Sequence, residues 1–578
     1  MIVYRKSERE TATGAFVEEL MLMAEAVRSA RTHELATELL IEFGRFESGV
    51  ADSLFPEEDG VNEISAALRR ASIAAGHVFR ASWKERPEEL SLWAERLKGS
   101  LARIRQMPLP SRIRTRIPEG YAHYGLFPEV YLASARKFFE DRRPPDVVCI
   151  GLRSIGASLS SVIAAELESL GSTVLSFTLR PRGHPFRRKA ALTRELEEIA
   201  ASLKASVFAI ADEGPGLSGS SFSSVAQTLS RLGVPDENIV YFPSWDPDGG
   251  DFISREARRR WGAHARYVSY FEEVWLDSGR LQRTAGLDSP LKDISAGMWR
   301  RLFWCEHDYP AAHPRHERRK YLSGDPSREE PYMLKFAGLG RYGSSKMERA
   351  ATLSEAGLME PVERFTNGFI VTRFAYGRPV AEREVNQLLL DEMARYASVV
   401  KRSFPSSGRM AFEEFLGMML RNITLGLGKD WGEKALVLDR MEGVFEGFEP
   451  VCTDGRMFPF EWILTKKGYR KTDCLDHHLD QFFPSSQDIA WDLAMACVEF
   501  EMNPMEQAYF LSRYSLYSGD SVAHERLKLY TVAYLAFRLG YASFASEELA
   551  KSPEGPRFSS LTHRYASRLK RELLWLVD

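Results

Sequence analysis

The chain has 578 residues, 44% hydrophobic and 27% charged, with a net charge of −3. That length calls for several domains with their own cores, and the near-neutral charge argues against a general nucleic-acid partner. With no apolar run of membrane-spanning length, no signal-peptide core in MIVYRKSERETATG, and five scattered cysteines (Cys149, Cys305, Cys452, Cys474, Cys497) lacking any CxxC, a cytoplasmic protein with free thiols is expected.

Residues from about 12 to 107 read as helical. Phe16, Leu20, Met23 and Val27 recur at helical spacing, as do Leu35, Leu39, Leu40 and Phe43. We expect the region 1–119 to be a cap or substrate hood, or a face for homo-oligomerisation. MPLPSRIRTRIPEG, Met107 to Gly120, reads as a linker by its prolines and basic residues.

The next segment, 120–250, alternates strands and helices. YGLFPEVYLASARKFFE is a helix and PPDVVCIG a strand ending at Gly151, followed by a loop and the helix of GASLSSVIAAELESLG. That loop, Leu152 to Ser158, does not supply GxGxxG, which argues against a dinucleotide site. TVLSFTL is the following strand, and RPRGHPFRRK after it gathers Arg180, Arg182, His184, Arg187, Arg188 and Lys189. A solvated loop competes there with a mobile basic flap that closes on an anionic leaving group.

The most informative stretch runs from Val207 to Gly233, VFAIADEGPGLSGSSFSSVAQTLSRLG. Val207 to Ala211 reads as a buried strand, Asp212-Glu213 as an acid pair at its end, and Gly214 to Ser221 as a Gly/Ser loop before a helix. A Walker A loop is excluded, because Ser220 stands where its lysine is required. Backbone N–H groups at a helix start suit a phosphate, and adjacent carboxylates suit ribose hydroxyls or Mg2+. NIVYFPSW, Asn238 to Trp245, continues what should be a mostly parallel sheet with ligands at its C-terminal edge.

This stretch resembles the phosphoribosyl-diphosphate (PRPP) signature of the type I phosphoribosyltransferases, with a loop one residue longer. The resemblance implies that Asp212 and Glu213 bind the ribose hydroxyls and Mg2+. Gly214, Gly216, Ser218, Gly219, Ser220 and Ser221 would hold the 5-phosphate. Ser154, Gly156 and the cation Arg153 would take the pyrophosphate, and Arg180, Arg182, Arg187 and Arg188 would form the flap.

The segment 251–329 reads as an irregular connector. His307, His313 and His316 fit no metal-site spacing, and Pro310 and Pro314 interrupt any helix. A second unit, 330–578, opens with PYMLKFAGLGRYGSSKMERAATLSEAGL: a strand, a glycine loop and a helix. GLGRYG satisfies GxGxxG, but a buried parallel strand would not carry Lys335, and pairing Lys335 with Glu348 as an ATP-binding couple accounts better for the stretch. GFIVTRF, Gly368 to Phe374, would then lead into a hinge.

CTDGRMFPFEWI and RKTDCLDHHLDQFFPSSQDIAWDLAMACVEF resemble aminoglycoside-phosphotransferase-like and choline-kinase-like small-molecule kinases. The resemblance makes Asp454 the catalytic-loop acid, Asp473 the Mg2+ ligand and Asp492 the brace of the catalytic loop. Cys452-Thr453 and Pro459 replace the family's His and Asn, Glu461 is a substitute ligand, and Asp476 and Asp480 compete with Asp473.

The fold class expected is therefore α/β: a helical N-terminal region, a parallel-sheet phosphoribosyltransferase-like domain, then a two-lobed kinase-like α+β domain. The function expected is phosphoribosyl transfer from PRPP to a nitrogenous base or similar acceptor, in nucleotide metabolism, with ATP-dependent phosphorylation of a related small molecule by the second unit. The alternative is a PRPP- and ATP-binding sensor without turnover, its kinase-like domain degenerate.

Overall fold

A computed structural model describes residues 8–216, 218–250, 252–325, 330–406, 408, 410–475, 477–479, 483–521 and 524–577. Asp476 and Asp480 lie outside the described residues.

The N-terminal periodicity folds as α1 (Thr13–Ala30), α2 (His33–Leu54), α3 (Glu63–Trp83) and α4 (Pro87–Ile104). Thr32 caps α2 through its side chain, and Asn62 with Ser65 forms a capping box on α3. The expected linker instead supplies a strand: β1 (Glu8–Ala12) pairs antiparallel with β2 (Arg112–Arg116). Ile113 and Thr115 turn inward there while Arg112, Arg114 and Arg116 stay exposed, the alternation of a half-buried strand.

The parallel sheet follows, with α5 (Glu129–Arg142), β3 (Asp146–Leu152), α6 (Gly156–Leu170), β4 (Thr173–Leu179), α7 (Arg194–Ser202), β5 (Val207–Ala211), α8 (Ser220–Arg231), β6 (Ile239–Phe242), α9 (Arg255–Ala263) and β7 (Ala265–Arg266). Its order is β4-β3-β5-β6-β7, all parallel. β5 is central and its Phe208 to Ala211 are buried, which explains an unbroken apolar run rather than an alternating one.

The helical region is no free cap. A Cβ on Gly44 of α2 would meet Ser158 Cβ at 2.8 Å, and one on Gly76 of α3 would meet the Ser161 carbonyl oxygen at 2.3 Å. Both helices therefore lie directly on the small-residue face of α6. Glu166 of α6, fully buried, is matched by Arg80 at 2.7 Å and Arg136 at 2.6 Å.

The segment 251–329 is also not irregular. After β7 it gives α10 (Arg280–Thr284), β8 (Leu291–Asp293) and β9 (Lys320–Ser323). These two strands join β10 (Tyr332–Phe336), β11 (Val362–Thr366) and β12 (Phe369–Arg373) in an antiparallel sheet of order β11-β12-β10-β9-β8, with α11 (Arg341–Glu355) between β10 and β11. Short strands and prolines hid β8 and β9 in the sequence.

The remaining chain is mainly helical: α12 (Gln387–Ser403), α13 (Phe412–Leu427), α14 (Lys429–Lys434), α15 (Glu442–Glu446), α16 (Ala490–Glu499), α17 (Pro504–Ser518), α18 (His524–Glu548) and α19 (Glu554–Val577). A three-stranded sheet of β13 (Gly377–Pro379), β14 (Trp462–Thr465) and β15 (Gly468–Lys471) lies beside them. Among the described residues no helix is long and apolar enough to cross a membrane, and all five cysteines are free.

One apolar core joins the two sheets: Tyr131, Phe127 and Trp275 pack with Tyr321, Phe336 and Phe369.

Candidate functional site

The first candidate centre lies where β5 ends. Asp212 and Glu213 leave its C-terminal edge, and the loop beyond them turns at Gly219 (φ 59°) into α8. Gly156 opens α6 beside this edge, and a Cβ there would meet the Ala211 carbonyl oxygen at 2.5 Å, so only glycine permits the approach. Ser154, between β3 and α6, has φ 118°, a conformation side chains rarely adopt, in the loop read as the pyrophosphate site.

Burial pushes the Asp212 carboxyl up to about 6, opposed by the Glu213 N–H and the charges of Arg180 and Arg188. Burial, then Asp212 and Glu119, pushes Glu213 up to about 8. Among the described residues neither carboxylate has an ion pair. The Tyr131 hydroxyl fixes the pair from below, donating to the Asp212 carbonyl at 2.8 Å. Gly120 lies against Glu213, where a Cβ would meet Oε1 at 2.6 Å. These are half-buried oxygen donors without an ion-paired cation among the described residues, and they fit a divalent cation or a diol.

The basic loop sits beside the phosphate loop. Ser218 and Ser220 hydroxyls donate to the Pro185 carbonyl at 2.9 and 2.6 Å. Gly219 at the N-cap of α8 offers no side chain, and the Ser220 N–H donates to the Ser218 hydroxyl at 3.2 Å, which leaves the next N–H groups of the first turn for an acceptor. Ser221, Gly214 and Gly216 complete the loop around this helix start.

Arg153 requires a correction. It is 4% exposed and ion-paired to Asp59 and, at 3.2 Å, to Asp52. Its guanidinium braces the helical region against the sheet rather than offering charge to pyrophosphate. Arg180 and Arg182 are similarly engaged, with Asp52 at 2.5 Å and Asp59 at 3.0 Å. Arg187 is exposed, and half-buried Arg188 acts on Asp212 by charge together with Arg180. A cavity of about 610 Å3 opens here, with Ser154, Arg180, Arg188, Arg114 and Arg116 in its wall.

The second candidate centre lies between the antiparallel sheet and the C-terminal helices. Asp492 of α16 accepts from the backbone N–H of Asp454 at 2.7 Å and of Gly455 at 2.9 Å. Burial and then Asp454 push the Asp492 carboxyl up to about 7. Asp454 is itself buried, receiving the Tyr396 hydroxyl at 2.9 Å and the Lys471 ammonium at 3.2 Å.

Lys335 does not pair with Glu348. Glu348 is exposed, while its helical neighbours Lys346 and Arg349 turn inward. Lys335 is ion-paired to Asp473, which also takes Lys320 at 2.8 Å. Although burial pushes Asp473 up, Lys320 and Lys335, then Arg456, hold it well below the usual carboxylate range. Glu461 takes Arg456 at 2.5 Å and Lys471 at 3.0 Å, and Glu317 takes Lys320 at 3.1 Å. Both Asp473 oxygens thus face lysines, an arrangement that does not fit a divalent ion.

Sequence reading missed Lys320, Lys471 and Arg349. Arg349 donates to the carbonyls of Cys474 at 2.9 Å and Cys452 at 2.6 Å, tying α11 to both acid-bearing loops. A buried-face position on an amphipathic helix was the available signal. An apolar cleft of about 100 Å3, walled by Ile294, Trp299, Met333, Ile370 and Phe374, adjoins Lys335.

The glycine loop Gly338 to Gly343 faces the first unit. Leu339 N–H donates to the Tyr121 carbonyl at 3.0 Å, and Lys346 reaches the Ala122 carbonyl at 3.2 Å. Its glycines serve close packing there. His313 and His316 meet Glu548 with donor atoms within 4.8 Å, yet their rings stack 3.7 Å apart with planes 7° from parallel, so their lone pairs do not converge.

No protein-family model matches the chain, and no curated protein matches it. Solved structures similar to part of it include the choline kinase LicA from Streptococcus pneumoniae, 18% identical over 43% of this chain and 89% of that one, TM-score 0.31. A choline/ethanolamine kinase family protein from Mesorhizobium loti is 14% identical over 52% of this chain and 98% of that one, TM-score 0.32. The spectinomycin phosphotransferase APH(9)-Ia is 10% identical over 51% of this chain and 95% of that one, TM-score 0.33.

Proposed function

We propose that the chain transfers a phosphoribosyl group from PRPP to a nitrogenous base or similar small acceptor, releasing pyrophosphate. The observation that carries this reading is the acid pair: two half-buried carboxylates with no ion-pair partner among the described residues, at the C-terminal edge of the central parallel strand, in the loop that leads to the N-terminus of α8. Asp212 and Glu213 would accept from the ribose hydroxyls, and the turn from Ser218 to Ser221 would hold the 5-phosphate. The bond from C1 to the pyrophosphate oxygen breaks with its electrons leaving on pyrophosphate, and the acceptor nitrogen supplies the new pair. Arg188 and the Ser154–Gly156 backbone would receive that charge. Mg2+ held with the acid pair would supply further neutralisation of the leaving group.

A second reading concerns the C-terminal half, and it favours ligand sensing over phosphoryl transfer. Asp454, Glu461, Asp473 and Glu317 are each matched to a lysine or arginine within the protein. A cluster whose acids are already held by the protein's own cations suits a site that binds ATP or a related ligand without turnover.

Incubation with PRPP, Mg2+ and a small-molecule extract tests the first reading by pyrophosphate release and new ribosyl-phosphate masses, with Asp212→Ala as control. An ATP arm tests the second, which predicts binding without consumption. A phosphorylated product in that arm would overturn the sensing reading.

A further inference from the structure

A cavity of about 160 Å3 lies beside the second centre, walled by the 310–318 segment, the loop at Gly455 and Arg456, α18 and α19. Its acids are accounted for. Glu499 takes Arg564 at 3.1 Å, Glu382 takes Arg564 at 3.6 Å, Glu317 takes Lys320 at 3.1 Å, and Asp473 takes Lys320 and Lys335.

Arg538 is the exception among its cations. Among the described residues no carboxylate lies within ion-pair distance of it, and its one short polar contact is the Tyr565 hydroxyl at 3.4 Å. Its guanidinium is caged by rings, 4.9 Å from the Phe458 centroid, 5.2 Å from Tyr541 and 5.4 Å from Tyr565. Arg456, across the same cavity, keeps its Nε–H buried without a hydrogen-bond partner. Glu499 reaches Arg538 only through the Tyr565 hydroxyl, which donates to it at 2.9 Å, and is itself paired to Arg564. A half-buried guanidinium whose nearby acid is engaged elsewhere and a second with an unused donor are well placed to take an anion.

We propose that this cavity binds a small phosphate monoester. The phosphate lies between Arg538 and Arg456, and the uncharged body rests on the surrounding aromatic rings. The proposal names the ligand class of the C-terminal half, and only the ligand's role as a sensed signal rests on the second reading above. A ribosyl 5-phosphate of the kind the first centre would make carries this chemistry, which would place sensor and source on one chain.

Ribose 5-phosphate is the probe, with ribose as its uncharged control, and local amide hydrogen exchange on the full chain is the readout. At millimolar concentration the probe should protect peptides spanning 310–316 and 536–541, and ribose should not. Arg538→Gln should weaken that protection roughly 10–100-fold, and Arg538→Lys should retain most of it. Exchange elsewhere and the melting temperature establish that both variants are folded. The proposal is overturned by no protection at these peptides in the native chain, by equal protection from ribose, or by an unchanged response in Arg538→Gln. Failure of the phosphoribosyl reading would show separately, as unprotected peptides over 212–224 when PRPP is added with Mg2+.

Discussion

Replacing Glu213 by Gln separates what the acid pair does from what it costs. Burial and two neighbouring acids raise its carboxyl from an ordinary 4.5 to about 8. The folded state therefore holds this proton more tightly than the unfolded state. Stability of the first unit must fall as pH rises from the unfolded value of 4.5 towards the folded value of about 8, and the full cost is present above that. The shift sets an upper limit of about 5 kcal/mol, and solvent at the half-buried rim reduces this to about 2 kcal/mol. Glu213→Gln removes the titration without removing the volume. Near pH 8 the variant should melt a few degrees higher than the native chain, and near pH 4 the two should coincide. The same substitution should weaken PRPP binding in Mg2+ by roughly 30–100-fold, since a hydrogen-bonded carboxylate is worth about 2–3 kcal/mol. Differential scanning calorimetry at both pH values, following the transition that carries the first unit, reads the first effect; a calorimetric titration reads the second. A variant no more stable near pH 8, or one that gains stability yet binds PRPP undiminished, would refute the reasoning.

Three further substitutions give distinct signatures. Arg153→Ala leaves Asp59 and Asp52 short of a buried cation and should cost about 3–5 kcal/mol in urea unfolding, whereas Arg188→Ala should leave stability within about 0.5 kcal/mol and lower PRPP affinity about tenfold. Asp492→Asn strips one of two acceptors from the Asp454 and Gly455 N–H groups; limited proteolysis should find the 452–461 loop opened at a cost of about 1–3 kcal/mol. Gly76→Ala drives a Cβ to 2.3 Å from a backbone oxygen of α6, and should destabilise the first unit by at least about 2 kcal/mol or abolish soluble expression.

Much of the fold could be read from the sequence wherever one local signal dominated. The apolar run Val207 to Ala211 forms β5 with the same bounds, because a parallel strand buried on both faces needs no partner residue to declare itself. Brace and loop at Asp492 and Asp454 were equally legible, since both lie in motifs. Failures came where the partner is remote in sequence. Sequence proximity pairs Lys335 with Glu348, thirteen residues away, whereas Asp473 meets it across the cleft between strand and hairpin loop. Arg153 reads as a free cation until α2 brings Asp52 beside it and the following loop brings Asp59. GLGRYG satisfies a nucleotide pattern, yet its glycines let the chain pass within hydrogen-bonding distance of Tyr121. Periodicity could place α2 and α3 but not the surface they cover, because Gly44 and Gly76 reveal their purpose only opposite α6.

The central claim is that Asp212 and Glu213 form a PRPP site, and a calorimetric titration of PRPP with Mg2+ into the native chain and into Asp212→Ala tests it most directly. Saturable, Mg2+-dependent binding of one PRPP at this site, lost in Asp212→Ala, is the result the account predicts. No binding to the native chain, or binding that Asp212→Ala leaves intact, would contradict it.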